Sequence, residues 1–312
     1  MSTDLLNPPD RLTNRQLDQL EAEAAYILRE TAAAFERPAL LFSGGKDSCV
    51  VLHVARKAFA GEKLPFVLLH VDTGHNFDEV IDFRDLSVQS GETLVVAHVE
   101  DSLRRGTVSL PEAPPGEVAS RNAAQAVTLL EAVEEHGFDA LLGGARRDEE
   151  KARAKERIFS HRNAFGQWDP RQQRPELWHL FNPMLHKGEH MRVFPISNWT
   201  ELDVWQYIER EQIALPSIYF SHRRAVIERR GLLVPVTSVT PARPGETVVE
   251  RDVRFRTVGD ISCTCPVASD AATVGQVIAE TALASLTERG ATRMDDQTSE
   301  ASMERRKREG YF

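Results

Sequence analysis

Ala39-Leu40-Leu41-Phe42-Ser43-Gly44-Gly45-Lys46-Asp47-Ser48 is the stretch on which the reading of this sequence turns. The apolar run predicts a short strand, Ser43-Gly44-Gly45 stops it, and Val50, Val51, Val54 and Ala58 resume helical spacing behind the stop. Two glycines permit positive φ and let backbone N–H groups converge on one concavity, to which the next helix adds its positive dipole end. Polyphosphate suits such a loop: Ser43 and Ser48 can donate hydroxyl hydrogen bonds and Lys46 can neutralise phosphate charge. It is not a Walker A loop, which requires Gly where this chain has Leu40 and Ser or Thr where it has Asp47.

The same rhythm extends outward. Ahead of the loop, Leu17, Leu20, Ala24, Ile27, Leu28 and Ala32 stripe a leading amphipathic helix over 14–36. Behind it come a strand over 66–71 closed by Asp72-Thr73-Gly74, a helix over 77–88 and a strand over 93–99. A polar, proline-bearing segment over 100–117, a helix over about 122–135 and a strand over 138–142 ending at Gly143-Gly144 follow. Near-continuous apolar strands alternating with helices predict an α/β, Rossmann-like fold, a mostly parallel sheet with helices on both faces. Ligands in such sheets sit beyond the carboxyl ends of the strands, so the turns at Ser43, Asp72 and Gly143 should meet in one crevice.

Past residue 158 the pattern loosens, until Thr200-Glu201-Leu202-Asp203 opens a helix with a capping box. Trp199, Val204, Trp205 and Ile208 lie at core spacing there. The expected organisation is an α/β domain over 1–231 that carries the loop and a C-terminal region over 232–312. The latter holds short strands near 248–249 and 253–257, a helix over 274–286 and a basic tail at Arg305 to Arg308.

Across 312 residues, 47 acidic against 38 basic side chains leave a net charge of −9, so no global basic field is available for nucleic acid and any polyanion needs a local site. Cys49, Cys263 and Cys265 are too few for a disulfide framework, which favours a reducing, cytoplasmic setting. No signal-peptide pattern opens the chain, and no run approaches the roughly 18 apolar residues of a membrane span. Neither nucleic acid nor membrane is an expected partner.

The Ser-Gly-Gly-Lys-Asp-Ser loop resembles that of the PP-loop, adenine nucleotide alpha hydrolase-like ATP pyrophosphatases. The resemblance runs on through His70-Val71-Asp72-Thr73-Gly74, Gly143 to Lys151, Arg174-Pro175-Glu176-Leu177-Trp178, Pro195 to Glu201, Arg254-Phe255-Arg256-Thr257 and Gly310-Tyr311-Phe312. Over nearly its whole length the sequence is thereby similar to the small-subunit family of bacterial heterodimeric sulfate adenylyltransferases. That likeness implies transfer of the adenylyl group of ATP to sulfate, with Mg²⁺ and a larger GTPase subunit as partner. Two places depart from the family pattern: Gly44 where Ile is expected, and Ser262 to Val267 where a Thr-Gly-Ala-Val-like stretch is expected.

Sulfate is a poor nucleophile, so positioning and charge stabilisation should dominate over general-base chemistry. Lys46, Arg146 and Arg147 are the expected catalytic cations, the two guanidinium groups being suited to bidentate oxyanion contact. Ser43, Gly44, Gly45, Lys46, Asp47, Ser48, Asp72, Thr73, Gly143 and Gly144 are the expected ATP-binding set. Asp47 either assists Mg²⁺ or caps its helix, and Asp72 either meets the nucleoside or a magnesium water or merely closes an Asx turn. The segment 148–157 reads equally as a solvated charged helix with Glu149 and Arg153 paired at i,i+4. Two competing functions share the loop: an adenylyl sulfate or 3′-phosphoadenylyl sulfate reductase, disfavoured because no cysteine follows Cys265, and a regulatory subunit that senses nucleotide.

Overall fold

A computed structural model describes residues 8–60, 62–111, 118–150 and 153–284. The predicted basic tail, Lys151 and the end of the predicted last helix lie outside the described residues. The leading helix α1 (Pro8–Ala34) is followed by β1 (Pro38–Leu41), α2 (Lys46–Ala58), β2 (Val67–Asp72), α3 (Asp78–Ser87) and β3 (Leu94–His98). Next come α4 (Val99–Arg105), α5 (Ala124–His136), β4 (Ala140–Leu142), β5 (Phe159–Arg162), β6 (His190–Val193) and α6 (Glu201–Glu211).

These strands form one sheet in the order β3-β2-β1-β4-β6-β5, parallel except for the edge strand β5. Leu40 of β1 stands opposite Leu68 of β2 and Leu142 of β4, so the apolar alternation of each strand falls in register with its neighbours. Leu40, Leu68, Leu142 and Val193 bury one face against α1, α2 and α6, while Ala39, Leu69 and Leu141 bury the other against Leu129 and Ala132 of α5. The chain is therefore a Rossmann-like α/β fold, as its strand pattern predicts. Strand order reverses between β1 and β4, which opens the crevice at their carboxyl ends.

A second, antiparallel sheet runs β10-β9-β7-β8, from β7 (His222–Arg229), β8 (Leu232–Pro235), β9 (Val249–Arg254) and β10 (Val267–Ala268). It takes in His222 to Arg229, on the N-terminal side of the Arg230-Gly231 turn, and α7 (Val274–Leu283) follows it. Trp199 and Trp205 are core residues, and Thr200 and Asp203 make the full capping box. Among the described residues no helix is long and apolar enough to cross a membrane.

Local propensity misses some elements. Residues 148–157 form no α-helix among the described positions, only a turn and a single 3-10 turn at Arg153–Lys155, although Arg153 Nε does meet Glu149 Oε2 at 3.3 Å. Tertiary bonds take the segment over: the Arg147 N–H donates to the Ser197 carbonyl, and the Glu156 carboxylate holds buried Arg162 at 2.6 Å. α4 begins at Val99 and runs into the polar, proline-bearing segment to which the sequence assigns no element, and β5 and β7, rich in His and Arg, carry no alternating apolar signature.

Candidate active site

β1 delivers the loop to the switch point, and α2 leaves it with Gly45 as N-cap. Gly44 takes φ +73°, a left-handed conformation glycine adopts without penalty, and a Cβ there would come within 2.9 Å of Val80 Cγ1. Ser48 Oγ donates to the Gly45 carbonyl at 2.8 Å, and the Gly45 N–H donates to Ser43 Oγ at 3.3 Å. The Lys46 N–H, at the helix start where no intrahelical acceptor is available, donates to Tyr219 Oη at 2.9 Å. Burial pushes the Tyr219 phenol well up, so its hydroxyl stays protonated while accepting that bond.

From β4, Gly143-Gly144 runs alongside. A Cβ on Gly144 would meet the Asp47 carbonyl carbon and Cβ at 2.9 Å and the Ser48 nitrogen at 3.1 Å, so only glycine lets this backbone lie against the loop. Around these walls lies a cavity of about 280 Å³, lined by Ser43, Gly45, Asp47, Ser48, Gly143, Gly144 and Ala145. Gln125, Glu149, Arg153, Tyr219, Thr257 and Val258 complete its polar and far walls.

The expected cations sit behind the cavity wall. Lys46 is fully buried with Nζ 2.9 Å from Asp47 Oδ2, and Arg146, equally buried, brings Nε to 2.8 Å from Asp47 Oδ1. Burial alone raises the Asp47 carboxyl, and the adjacent Lys46 and Arg146 charges more than offset it, holding the group below the ordinary carboxylate value. Both Asp47 oxygens thus carry a cation already, at the first turn of α2 where negative charge is favoured.

Three expected residues are not brought to the cavity. Arg147 turns away to the Asn198 side-chain oxygen and the Glu156 carbonyl. Asp72 closes an Asx turn, accepting from the Gly74 N–H at 2.7 Å, and Thr73 accepts from the His75 N–H while donating to Asn76. Arg153 instead lines the cavity, the single basic side chain among its described lining residues. Its sequence position beside Glu149 could have flagged it, whereas nothing around Ser217-Ile218-Tyr219 signals that Tyr219 reaches the loop.

The cysteines are buried, and desolvation raises the Cys49 thiol far above its ordinary value. Among the described residues no three His, Cys, Asp or Glu side chains gather as a metal site.

Residues 37–266 match the phosphoadenosine phosphosulfate reductase domain family. Sulfate adenylyltransferase subunit 2 of Mycobacterium tuberculosis H37Rv is 60% identical over 305 residues, 97% of either chain. The protein of that name in Mycolicibacterium gilvum is 61% identical over 297 residues, 95% of this chain and 94% of that one. A crystal structure of phosphoadenylyl-sulfate reductase from Candida auris aligns with 70% of this chain and 93% of that chain, at 16% identity and a TM-score of 0.41.

Proposed function

Because the chain belongs to the phosphoadenosine phosphosulfate reductase domain family and, within it, to the sulfate adenylyltransferase subunit 2 proteins, we propose that it is the catalytic half of an enzyme that moves the adenylyl group of ATP onto sulfate. A sulfate oxygen attacks the α-phosphorus, the new P–O bond forms, and the bond to the bridging oxygen breaks, its electron pair leaving with pyrophosphate. The observation that carries this reading is that a chain matching those relatives along 97% of its length places Ser43 to Ser48 at the crevice where the strand order reverses.

The loop N–H groups and the Ser43 and Ser48 hydroxyls hold the pyrophosphate end, with Lys46 and Arg146 supplying positive potential from behind Asp47. Gly143-Gly144 offers backbone to the nucleotide, and Arg153 faces the incoming sulfate as the cavity's own guanidinium. Arg147, Asp72 and Thr73 stand outside the cavity and contact no ligand in this reading. Mg²⁺ arrives with ATP as substrate, held by phosphate and water; with both Asp47 oxygens occupied by cations, the donor set does not fit a resident magnesium ion. The relatives' designation as a second subunit supports assembly with a companion; we infer that this companion is the larger GTPase subunit of a heterodimer.

A reductase of the same domain family would need a nucleophilic thiolate, and the buried cysteines, Cys49 with its raised pKa foremost, do not offer one. The test is sulfate-dependent exchange of labelled pyrophosphate into ATP, with companion subunit present. Exchange that requires sulfate and disappears in Lys46→Ala supports adenylyl transfer at this loop. ATP binding without exchange would instead identify a nucleotide sensor.

A further inference from the structure

Asp47, Glu149 and Arg153 carry the charge of the described cavity lining, and they are not matched alike. Asp47 is settled by Lys46 and Arg146 at 2.9 and 2.8 Å. Glu149 and Arg153 face each other, with Arg153 Nε 3.3 Å from Glu149 Oε2 and side chains only 7% and 13% exposed. At that distance the charges are in contact. Among the described residues, however, neither atom has a hydrogen-bond partner, so the guanidinium N–H is not aimed at the carboxylate.

Ion pairs that hold this fold are made differently. Arg162 donates to Glu156 at 2.6 Å and Arg256 donates to Glu201 at 2.6 Å, both buried and both aligned. A buried ionic contact without an aligned hydrogen bond forfeits part of what offsets its desolvation, so the Glu149–Arg153 pair adds little to stability. Its misalignment has a cause in the backbone. On an α-helix residues four apart would lie side by side on one face. Here the chain after Arg146 forms a turn and then the 3-10 turn Arg153–Lys155, where the Arg153 N–H donates to the Glu150 carbonyl at 3.0 Å. Both side chains are thereby brought to the cavity.

A carboxylate offers a guanidinium fork the same two-oxygen face that an edge of sulfate offers, with one negative charge in place of two. The Glu156 carboxylate is committed to Arg162, which leaves Glu149 beside the cavity's guanidinium.

We propose that Glu149 is a built-in stand-in for sulfate, its carboxylate neutralising Arg153 until the dianion displaces it. The proposal rests on the reading above, in which Arg153 faces sulfate, and deepens it by assigning a residue that sets the affinity for that substrate. The dianion outcompetes a single charge for the guanidinium, and a misaligned contact suits the exchange because little has to be broken as sulfate enters. Transfer of the adenylyl group leaves one negative charge on the sulfur end. The carboxylate then competes on nearer terms and returns to Arg153 as product leaves.

The test measures sulfate-dependent pyrophosphate exchange in the full chain with its companion subunit, alongside the melting temperature of each variant. Glu149→Gln keeps the shape and removes the charge. It should lower KM for sulfate about tenfold and strengthen inhibition by adenylyl sulfate, while KM for ATP moves less. In an Arg153→Ala background the same substitution should lower KM for sulfate by no more than about twofold, because no guanidinium remains to be released. A KM for sulfate that rises in Glu149→Gln overturns the proposal and makes Glu149 a holder of Arg153, and an unchanged KM overturns it too. An equal fall in both backgrounds overturns it as well, leaving plain charge repulsion. Loss of the folded state in Glu149→Gln and Glu149→Ala alike overturns it, since the carboxylate would then be holding the chain together. In each of these cases a raised KM for sulfate in Arg153→Ala alone keeps sulfate at Arg153. An unchanged KM in that single variant removes the placement of sulfate, and the stand-in with it.

Discussion

Gly143 and Gly144 are neighbours at the end of β4, neither has positive φ, and yet a methyl group should be harmless on one and damaging on the other. On Gly143 the new Cβ meets only Phe194 and Leu41 side-chain carbons at 3.6 to 3.9 Å, ordinary van der Waals contact. On Gly144 it stands 2.9 Å from the Asp47 carbonyl carbon and 3.1 Å from the Ser48 nitrogen, so the loop or β4 must retreat by about 0.5 Å. Those atoms are main chain and cannot rotate away. Overpacking of this kind costs about 1–3 kcal/mol, whereas Gly143→Ala gains up to about 1 kcal/mol by restricting the unfolded chain. If the displaced loop holds pyrophosphate as proposed, exchange activity should fall about tenfold or more, given that a shift of about 1 Å can cost about 100-fold. Denaturant unfolding and sulfate-dependent pyrophosphate exchange measure the two effects. Equal behaviour of the two alanine variants would refute the close-approach argument.

Other substitutions test the remaining walls. Gly44→Ala should lose about 1–2 kcal/mol from its left-handed φ, and adding Val80→Ala should recover only the steric part, as read by urea midpoints. Tyr219→Phe removes the acceptor of the Lys46 N–H and should cost about 1–3 kcal/mol in thermal unfolding while raising KM for ATP. Arg153→Ala should raise KM for sulfate about tenfold with little change in KM for ATP, and an equal rise in both would assign Arg153 to the walls instead. Burial lowers His70 to about 4, so between its ordinary value of 6.5 and that value the unfolded chain binds a proton that the folded chain refuses. Stability should therefore fall as pH drops through this window, by about 3 kcal/mol when fully developed, and His70→Gln should flatten the slope of urea midpoints against pH.

The parallel sheet was legible because strands buried on both faces read as apolar runs, and Phe42-Ser43-Gly44-Gly45 marks where such a run must stop. The glycine loop between β1 and α2 was legible for the same reason: its turn is dictated locally by Ser43-Gly44-Gly45. β5 and β7 were not, since Ser160 and Arg162 face the buried Glu156 while Arg224 and Arg229 pair with Glu79 of α3 and Glu246 of the loop before β9, and polar side chains in strands leave no period to read. Which side chains reach the cavity was not legible where it depends on tertiary direction. Arg146 and Arg147 are adjacent in sequence, but one turns to Asp47 and the other to Asn198 and Glu156, a choice made by backbone geometry after β4 rather than by residue type.

The bond from the Lys46 N–H to Tyr219 spans 173 residues of chain. During synthesis, the strand, loop and first helix can leave the ribosome and pair with β2 long before the residue that caps them exists. The loop is consequently complete only once Tyr219 has been made, and a nascent chain stopped short of that residue would carry the full Ser-Gly-Gly-Lys-Asp-Ser signature with one wall missing. The hexapeptide cannot be grafted onto another strand–helix junction as a self-contained module, because one of its walls is borrowed from a distant part of the polypeptide.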